Sequence, residues 1–201
     1  MRIGVLGGTF DPPHVGHLIA AVDAYERLEL DKLIFIPTAN QPLKQDKPAV
    51  APAKDRLQMV RLLVGNDARF EVSETEIERG GLSYTVDTLE ALRKERPGDE
   101  LVLIVGLDAM KSFDQWKDWK RIRLMAGLAV LTRDAAPQMS AEVGTATIVG
   151  TRRIDVSSSE IRERLRQGKS VRGFVTESVE AYIAERNLYR QEQSRLRERS
   201  A

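Results

Sequence analysis

The chain contains no cysteine, which excludes a disulfide framework and any thiolate metal centre. Neither sign of charge is in excess. The 31 lysines and arginines meet 30 aspartates and glutamates, so no strong field calls for a nucleic acid or a membrane surface. No apolar run is long enough to span a bilayer. The opening residues Met1-Arg2-Ile3-Gly4 lead into a strand-like run without the apolar core and small-residue cleavage site of a signal peptide. A soluble, cytoplasmic protein is expected. Two familiar phosphate loops are also missing. No G-x-G-x-x-G follows the first apolar run, so a dinucleotide dehydrogenase is excluded. No G-x-x-x-x-G-K-[ST] occurs, so a P-loop ATPase is excluded too.

What is present alternates. Apolar runs of strand length recur at Ile3–Leu6, Leu33–Ile36, Phe70–Val72, Leu101–Val105, Leu128–Leu131 and Thr147–Val149. Between them lie segments with helical spacing. Val15, Leu18, Ile19, Val22, Tyr25 and Leu28 form one face, and Leu57, Val60, Leu63 and Val64 a second. Val86, Leu89 and Leu92 form a third, ended by Pro97-Gly98. Ile161 and Leu165, ended by Gly168, and Val179, Tyr182 and Ile183 complete the set. Strands alternating with helices predict crossover units and a mostly parallel sheet, with ligands at the carboxyl ends of its strands. Residues 38–54 and 134–145 read as long loops. Residues 1–190 are expected to form one domain whose last helices make a small appendage, and 191–201 a charged, frayed tail.

Histidine is scarce: there are two, His14 and His17, and both lie in the stretch Gly7-Gly8-Thr9-Phe10-Asp11-Pro12-Pro13-His14-Val15-Gly16-His17. A glycine-rich turn between a strand and a helix presents backbone N–H groups and a positive dipole end to an anion. Two imidazoles at i and i+3 share one side of that helix start. Such a layout handles phosphate. The bland alternative is a pair of capping or core histidines, and a zinc ion held with a carboxylate is a third. Near the carboxyl terminus, Ser157-Ser158-Ser159-Glu160-Ile161-Arg162 is a helix start with spare hydroxyls and a fixed positive charge. It reads either as a cap alone or as a second anion site.

The span G-x-F-D-P-x-H-x-G-H, from Gly8 to His17, resembles the nucleotidyltransferases marked by an H-x-G-H signature. Ser158-Ser159 with Ile161-Arg162 is similar to that family's S-S-x-x-I-R motif, which binds the triphosphate. Ser83-Tyr84-Thr85-Val86-Asp87-Thr88-Leu89 closely resembles the S-Y-T-x-D-T-L segment of bacterial nicotinate-nucleotide adenylyltransferases. The stretch Pro37 to Lys44 is similar to their P-x-x-x-P-P-H-K loop, departing at Gln41 and Leu43 and keeping Asn40 and Lys44.

The resemblance implies a doubly wound, Rossmann-like sheet. It implies transfer of AMP from ATP to nicotinate mononucleotide, with release of pyrophosphate and formation of deamido-NAD. No protein metal site is implied, and Mg²⁺ would arrive with ATP. His14, His17 and Arg162 would be catalytic. Gly8, Thr9, Phe10, Gly106, Asp108, Ser158 and Ser159 would bind ATP, with Asp108 beside its ribose. Asn40, Lys44, Tyr84, Thr85 and Trp116 would bind the nicotinate nucleotide, with Trp116 stacked on the pyridine ring. Asp11 would brace its loop, and Arg56 would be architectural. Neither nucleic acid nor membrane would be a partner. Rivals are a pantetheine-phosphate adenylyltransferase, a cytidylyltransferase and the same enzyme acting on the amidated nucleotide. A nucleic-acid module would draw on residues 151–201, with twelve basic and eight acidic side chains.

Overall fold

The computed structural model describes residues 1–44, 48–132 and 146–190, apart from the side chain of Lys44. Six strands, β1 (Arg2–Gly8), β2 (Lys32–Pro37), β3 (Phe70–Val72), β4 (Glu100–Gly106), β5 (Gly127–Thr132) and β6 (Thr147–Gly150), match the six apolar runs. They form one sheet in the order β3-β2-β1-β4-β5-β6, and every pairing is parallel. The chain thus leaves β1 toward β2 on one side and later returns to β4 on the other. That reversal opens a crevice at the carboxyl ends of β1 and β4.

The helices are α1 (Val15–Arg27), α2 (Ala53–Val64), α3 (Thr75–Arg79), α4 (Thr85–Glu95), α5 (Leu107–Met110), α6 (Trp119–Met125), α7 (Ser158–Arg166) and α8 (Glu177–Glu185). Alternation along each strand sends side chains to both faces. Ile3, Val5, Ile34, Leu103 and Val105 bury against Val86, Leu89 and Leu92 of α4 and Ile122 of α6. Leu6, Leu33, Phe35, Val102 and Ile104 bury against Ala21 and Ala24 of α1 and Val60 and Val64 of α2. Each fully buried aliphatic side chain stabilises by roughly 1.5–3 kcal/mol.

A third core lies off the sheet. Met59 and Leu63, on the other side of α2, pack with Ile161 of α7, Val179 and Ile183 of α8, and Tyr189. The C-terminal helices are therefore an appendage seated on α2.

Two expectations change. The 38–54 segment is not one long loop: it holds a short 3₁₀ turn at Pro42–Lys44, and α2 already starts at Ala53. Pro52 stands at the N-cap with φ −53°, a value its ring presets for a helix start. Helices α3, α5 and α6 have no counterpart in the sequence reading, because elements this short offer too few turns for a helical period. Residues 45–47, the 134–145 loop and the 191–201 tail lie outside the described residues. Among those described, no helix is long and apolar enough to cross a membrane.

Candidate functional site

The turn from β1 into α1 is compact and strained. Phe10 adopts φ +49°, the left-handed region that non-glycine residues avoid. Its ring holds it there, 3% exposed, edge-on to His17 at 5.0 Å and beside Phe35 at 5.9 Å. That ring leaves no room over Gly8, where a Cβ would come within 2.9 Å of it. His14 caps α1. Its backbone N–H donates to Nδ1 of His17 at 3.2 Å. With Nδ1 accepting, a neutral His17 carries its proton on Nε2 and presents a donor there. The two imidazoles stack with centroids 3.7 Å apart. The intervening glycine makes this possible, since a Cβ on Gly16 would lie 3.0 Å from Nδ1 of His14. The histidines thus cap a helix and also stand at its positive end.

Asp11 is 5% exposed and turns into the protein. Its Oδ2 accepts the Val50 N–H at 2.7 Å, and its Oδ1 accepts the Ala51 N–H at 3.0 Å and the Tyr189 hydroxyl at 2.7 Å. Arg56, 1% exposed, donates to the carbonyls of Thr9 (2.6 Å), Thr38 (2.7 Å), Ala39 (3.1 Å) and Ala51 (3.2 Å). One buried guanidinium thereby joins the loop after β1 to the loop after β2. Burial lowers its pKa below the ordinary guanidinium value, with the Asp11 carboxylate opposing that fall. The sequence places Arg56 as architectural but offers no sign of these partners.

The serine-rich helix start meets the same turn. Ser157 caps α7, accepting the Glu160 N–H at 3.1 Å. The Ser158 hydroxyl donates to the Pro12 carbonyl at 2.8 Å, and Arg162 Nη1 donates to the Asp11 carbonyl at 2.6 Å. Arg162 Nη2 donates to Ser159 Oγ at 3.2 Å. The start of α7 is thus bonded to the turn that leads from β1 into α1. Motifs some 140 residues apart in the chain form one cationic, N–H-rich corner. Thr9 contributes its hydroxyl to Gln41 Oε1 at 3.0 Å.

Across the crevice, Gly106 ends β4 and caps α5. Asp108 follows with its side chain 97% exposed, 3.0 Å from Lys111 Nζ. The loops after β2 and before α4 are clamped. Ser83 N–H donates to the Asn40 carbonyl (2.9 Å), Ala39 N–H to Ser83 Oγ (2.9 Å), and Asn40 Nδ2 to the Gly81 carbonyl (3.1 Å). Tyr84 is the N-cap residue of α4, which opens at Thr85 as its sequence suggests. Lys117 Nζ sits 4.5 Å above the Tyr84 ring and 3.3 Å from Asp87 Oδ1. Trp116 packs on Phe113 at 5.3 Å, and its buried Nε1 has no hydrogen-bond partner. The structure thus gathers Asn40, Tyr84 and Thr85 around the start of α4, with Trp116 next in the chain to the Lys117 that covers Tyr84. The side chain of Lys44 lies outside the described residues. Among those described, no group of three or more histidine or carboxylate side chains could hold a metal, so the zinc alternative finds no third ligand.

Comparison with known proteins agrees with this geometry. Residues 5–164 match the cytidylyltransferase-like family. The chain is 49% identical to a protein of Gemmatimonas aurantiaca named "Probable nicotinate-nucleotide adenylyltransferase", over 95% of this chain and 93% of that one. It is 44% identical to a Thermus thermophilus protein of the same name, over 94% and 100%. In fold it resembles a Plasmodium falciparum nicotinic acid mononucleotide adenylyltransferase complexed with NaAD. That pair has a TM-score of 0.74 at 17% identity, covering 94% of this chain and 97% of the other. The parallel sheet, the start of α7 bonded to the turn before α1 and these relatives together make the chain a member of the cytidylyltransferase-like nucleotidyltransferases, within the nicotinate-nucleotide adenylyltransferase family.

Proposed function

We propose that this protein joins the AMP moiety of ATP to nicotinate mononucleotide, giving deamido-NAD and pyrophosphate in NAD biosynthesis. A phosphate oxygen of the mononucleotide forms the new bond to the α-phosphorus of ATP. The bond from that phosphorus to the bridging oxygen breaks on the opposite side, and pyrophosphate departs with the electron pair. The nucleophile is already an anion, so the reaction needs no strong general base. It needs two polyanions held in line and the charge on the transferring group stabilised.

The observation that carries this reading is the start of α7 bonded to the turn before α1 at the carboxyl end of β1. His17, with its proton on Nε2, would donate to ATP phosphate, with His14 beside it. Arg162 would add a fixed charge, and Ser158 and Ser159 would contribute hydroxyls at the start of α7. The backbone of Gly8, Thr9 and Phe10 would line the same wall. Gly106 and Asp108 would lie along the nucleoside, with the Asp108 carboxylate suited to ribose hydroxyls. Mg²⁺ would accompany the triphosphate and neutralise part of its charge. The absence of a multi-carboxylate cluster among the described residues suits an ion that keeps phosphate and water ligands.

The pyridine end supports the acid over the amide. The first-turn amides of α4, from Thr85 onward, offer N–H donors and a positive dipole end to a carboxylate, and a neutral carboxamide gains less there. Trp116 would present a face to the electron-poor ring, with Tyr84, Asn40 and Lys44 around it. The relatives' shared name agrees with this choice.

The test is pyrophosphate release from ATP and Mg²⁺ with either nicotinate mononucleotide or its amide. Release far faster with the acid is the expected outcome. Equal rates would overturn the role given to α4. Silence with both would overturn the substrate assignment and turn attention to phosphopantetheine and to CTP-dependent acceptors.

A further inference from the structure

Tyr189 is one of the last described residues, 178 positions from Asp11 in the chain and in direct contact with it. It follows α8 in a turn where its own φ is +64°, a conformation a tyrosine adopts only when its surroundings impose it. The side chain is 7% exposed and packs in the third core with Ala51, Ile161 and Ile183. Its hydroxyl passes through that core to Asp11. There it completes a set of three donors with the Val50 and Ala51 amides, and Arg162 Nη1 stands 3.8 Å from the other carboxylate oxygen. The neighbouring backbone repeats the pattern. Val15, the first residue of α1, donates its N–H to the Phe174 carbonyl of the appendage at 3.0 Å.

We infer that Tyr189 is a positioning residue for the adenylyl-transfer site: its hydroxyl latches the C-terminal appendage onto Asp11 and so fixes the turn that carries His14 and His17. This rests on the function proposed above. The reasoning is geometric. Asp11 is the only carboxylate in the turn between Gly8 and His14, and all the partners just described come from outside that turn. Two come from the segment before α2, one from α7 and one from beyond α8. Arg56 and Ser158 bind the carbonyls of the same turn from α2 and α7. The phosphate loop is thus gripped between α2 and the appendage, and the buried Tyr189 hydroxyl ties the appendage core to the loop's carboxylate, with the Arg162 guanidinium beside it. Burial and the Asp11 charge push its phenol far above the ordinary value of 10, so it stays a donor throughout the working range of the protein. A displacement of about 1 Å in a positioning element can cost on the order of 10²-fold in rate. Loss of one of three donors to Asp11 should cost part of that.

The test compares wild type, Tyr189→Phe and Leu188→Ala in the full chain. Tyr189→Phe keeps the ring and removes only the hydroxyl. Leu188→Ala trims a neighbouring, half-buried side chain of the same core that makes no bond to the loop. We expect Tyr189→Phe to lower kcat about ten-fold and to weaken MgATP binding several-fold in calorimetry without the second substrate. KM for the pyridine mononucleotide should stay close to wild type, while the thermal midpoint falls with the lost bond to a buried carboxylate. Leu188→Ala should lower the midpoint as well but leave kcat and MgATP affinity nearly unchanged. Wild-type kcat and MgATP affinity in Tyr189→Phe would overturn the inference. So would an equal fall of kcat in the Leu188 variant, which would reduce Tyr189 to packing. If wild type turns over no pyridine mononucleotide, the substrate assignment fails instead, and MgATP affinity in the two variants still decides the role of Tyr189.

Discussion

The two ends of the crevice are built differently. The end proposed to hold phosphate rests on buried, mutually dependent groups: Asp11 and Arg56 are each nearly inaccessible, and most of their bonds join elements distant in the chain. The end proposed to hold the pyridine rests on exposed or half-exposed groups. Asn40 clasps Gly81 at the surface, Lys117 lies over Tyr84 in contact with water, and Trp116 leans on Phe113. A buried charge with four carbonyl partners tolerates no substitute, because each orphaned acceptor costs its own desolvation. A surface contact is worth a few tenths of a kcal/mol and can be exchanged. The phosphate end therefore suits a chemistry that must not change, and the pyridine end a specificity that can be tuned. The same division appears in sequence. The first motif is intact, whereas the loop from Pro37 to Lys44 departs at Gln41 and Leu43.

The sharpest way to break this comparison is His17→Ala. It should lower kcat/KM about 10³-fold by removing a donor to the transferring group. Because Nδ1 of His17 also accepts the His14 N–H, it should cost about 1 kcal/mol of stability as a lost cap. Steady-state kinetics and chemical denaturation on the same sample separate the two, and near-normal turnover would end the catalytic assignment. Next is Arg56→Met, which leaves four carbonyls without their donor and removes a buried charge whose field acts on Asp11. Denaturation should report a loss of about 3 kcal/mol, and a stable, active variant would show that the loops hold without it.

Trp116→Ala addresses the other end. KM for the mononucleotide should rise about ten-fold, a magnitude typical of lost aromatic stacking, while KM for ATP stays put. Equal effects on both substrates would make Trp116 a packing residue. The smallest effect concerns Glu76, buried beneath α4 with Oε1 accepting the Thr88 hydroxyl at 2.7 Å and Oε2 unpartnered. Burial pushes its carboxyl above the ordinary 4.5. The stability it contributes is therefore complete below about pH 4.5 and is lost as pH rises through the raised value. Glu76→Gln should match wild type in acid and exceed it by about 1 kcal/mol or less at pH 8. Thermal melts across that range would show it, and a constant difference would refute the titration.

Much of this was legible beforehand. Each strand lies within two residues of its apolar run, because strands buried on both faces must be continuously apolar. Helices α1, α2, α4, α7 and α8 follow from apolar period and stop signals such as Pro97-Gly98. Helices α3, α5 and α6 escape, since a period needs more turns than they have. At the site, the residue types of the two motifs announce a phosphate chemistry, and Thr85 announces a helix start. The partners of Asp11 and Arg56 leave no local mark.

Sequence alone therefore determined the alternation of strands and helices, the order of the motifs and the chemistry their side chains can perform, because these depend on residues close together in the chain. Tertiary structure alone decided that Ser158 and Arg162 meet Pro12 and Asp11, that Asp11 turns inward, and that Tyr189 reaches it from the far end. Such contacts are selected by packing and by the need to satisfy buried polar groups, and neither is written in any local pattern.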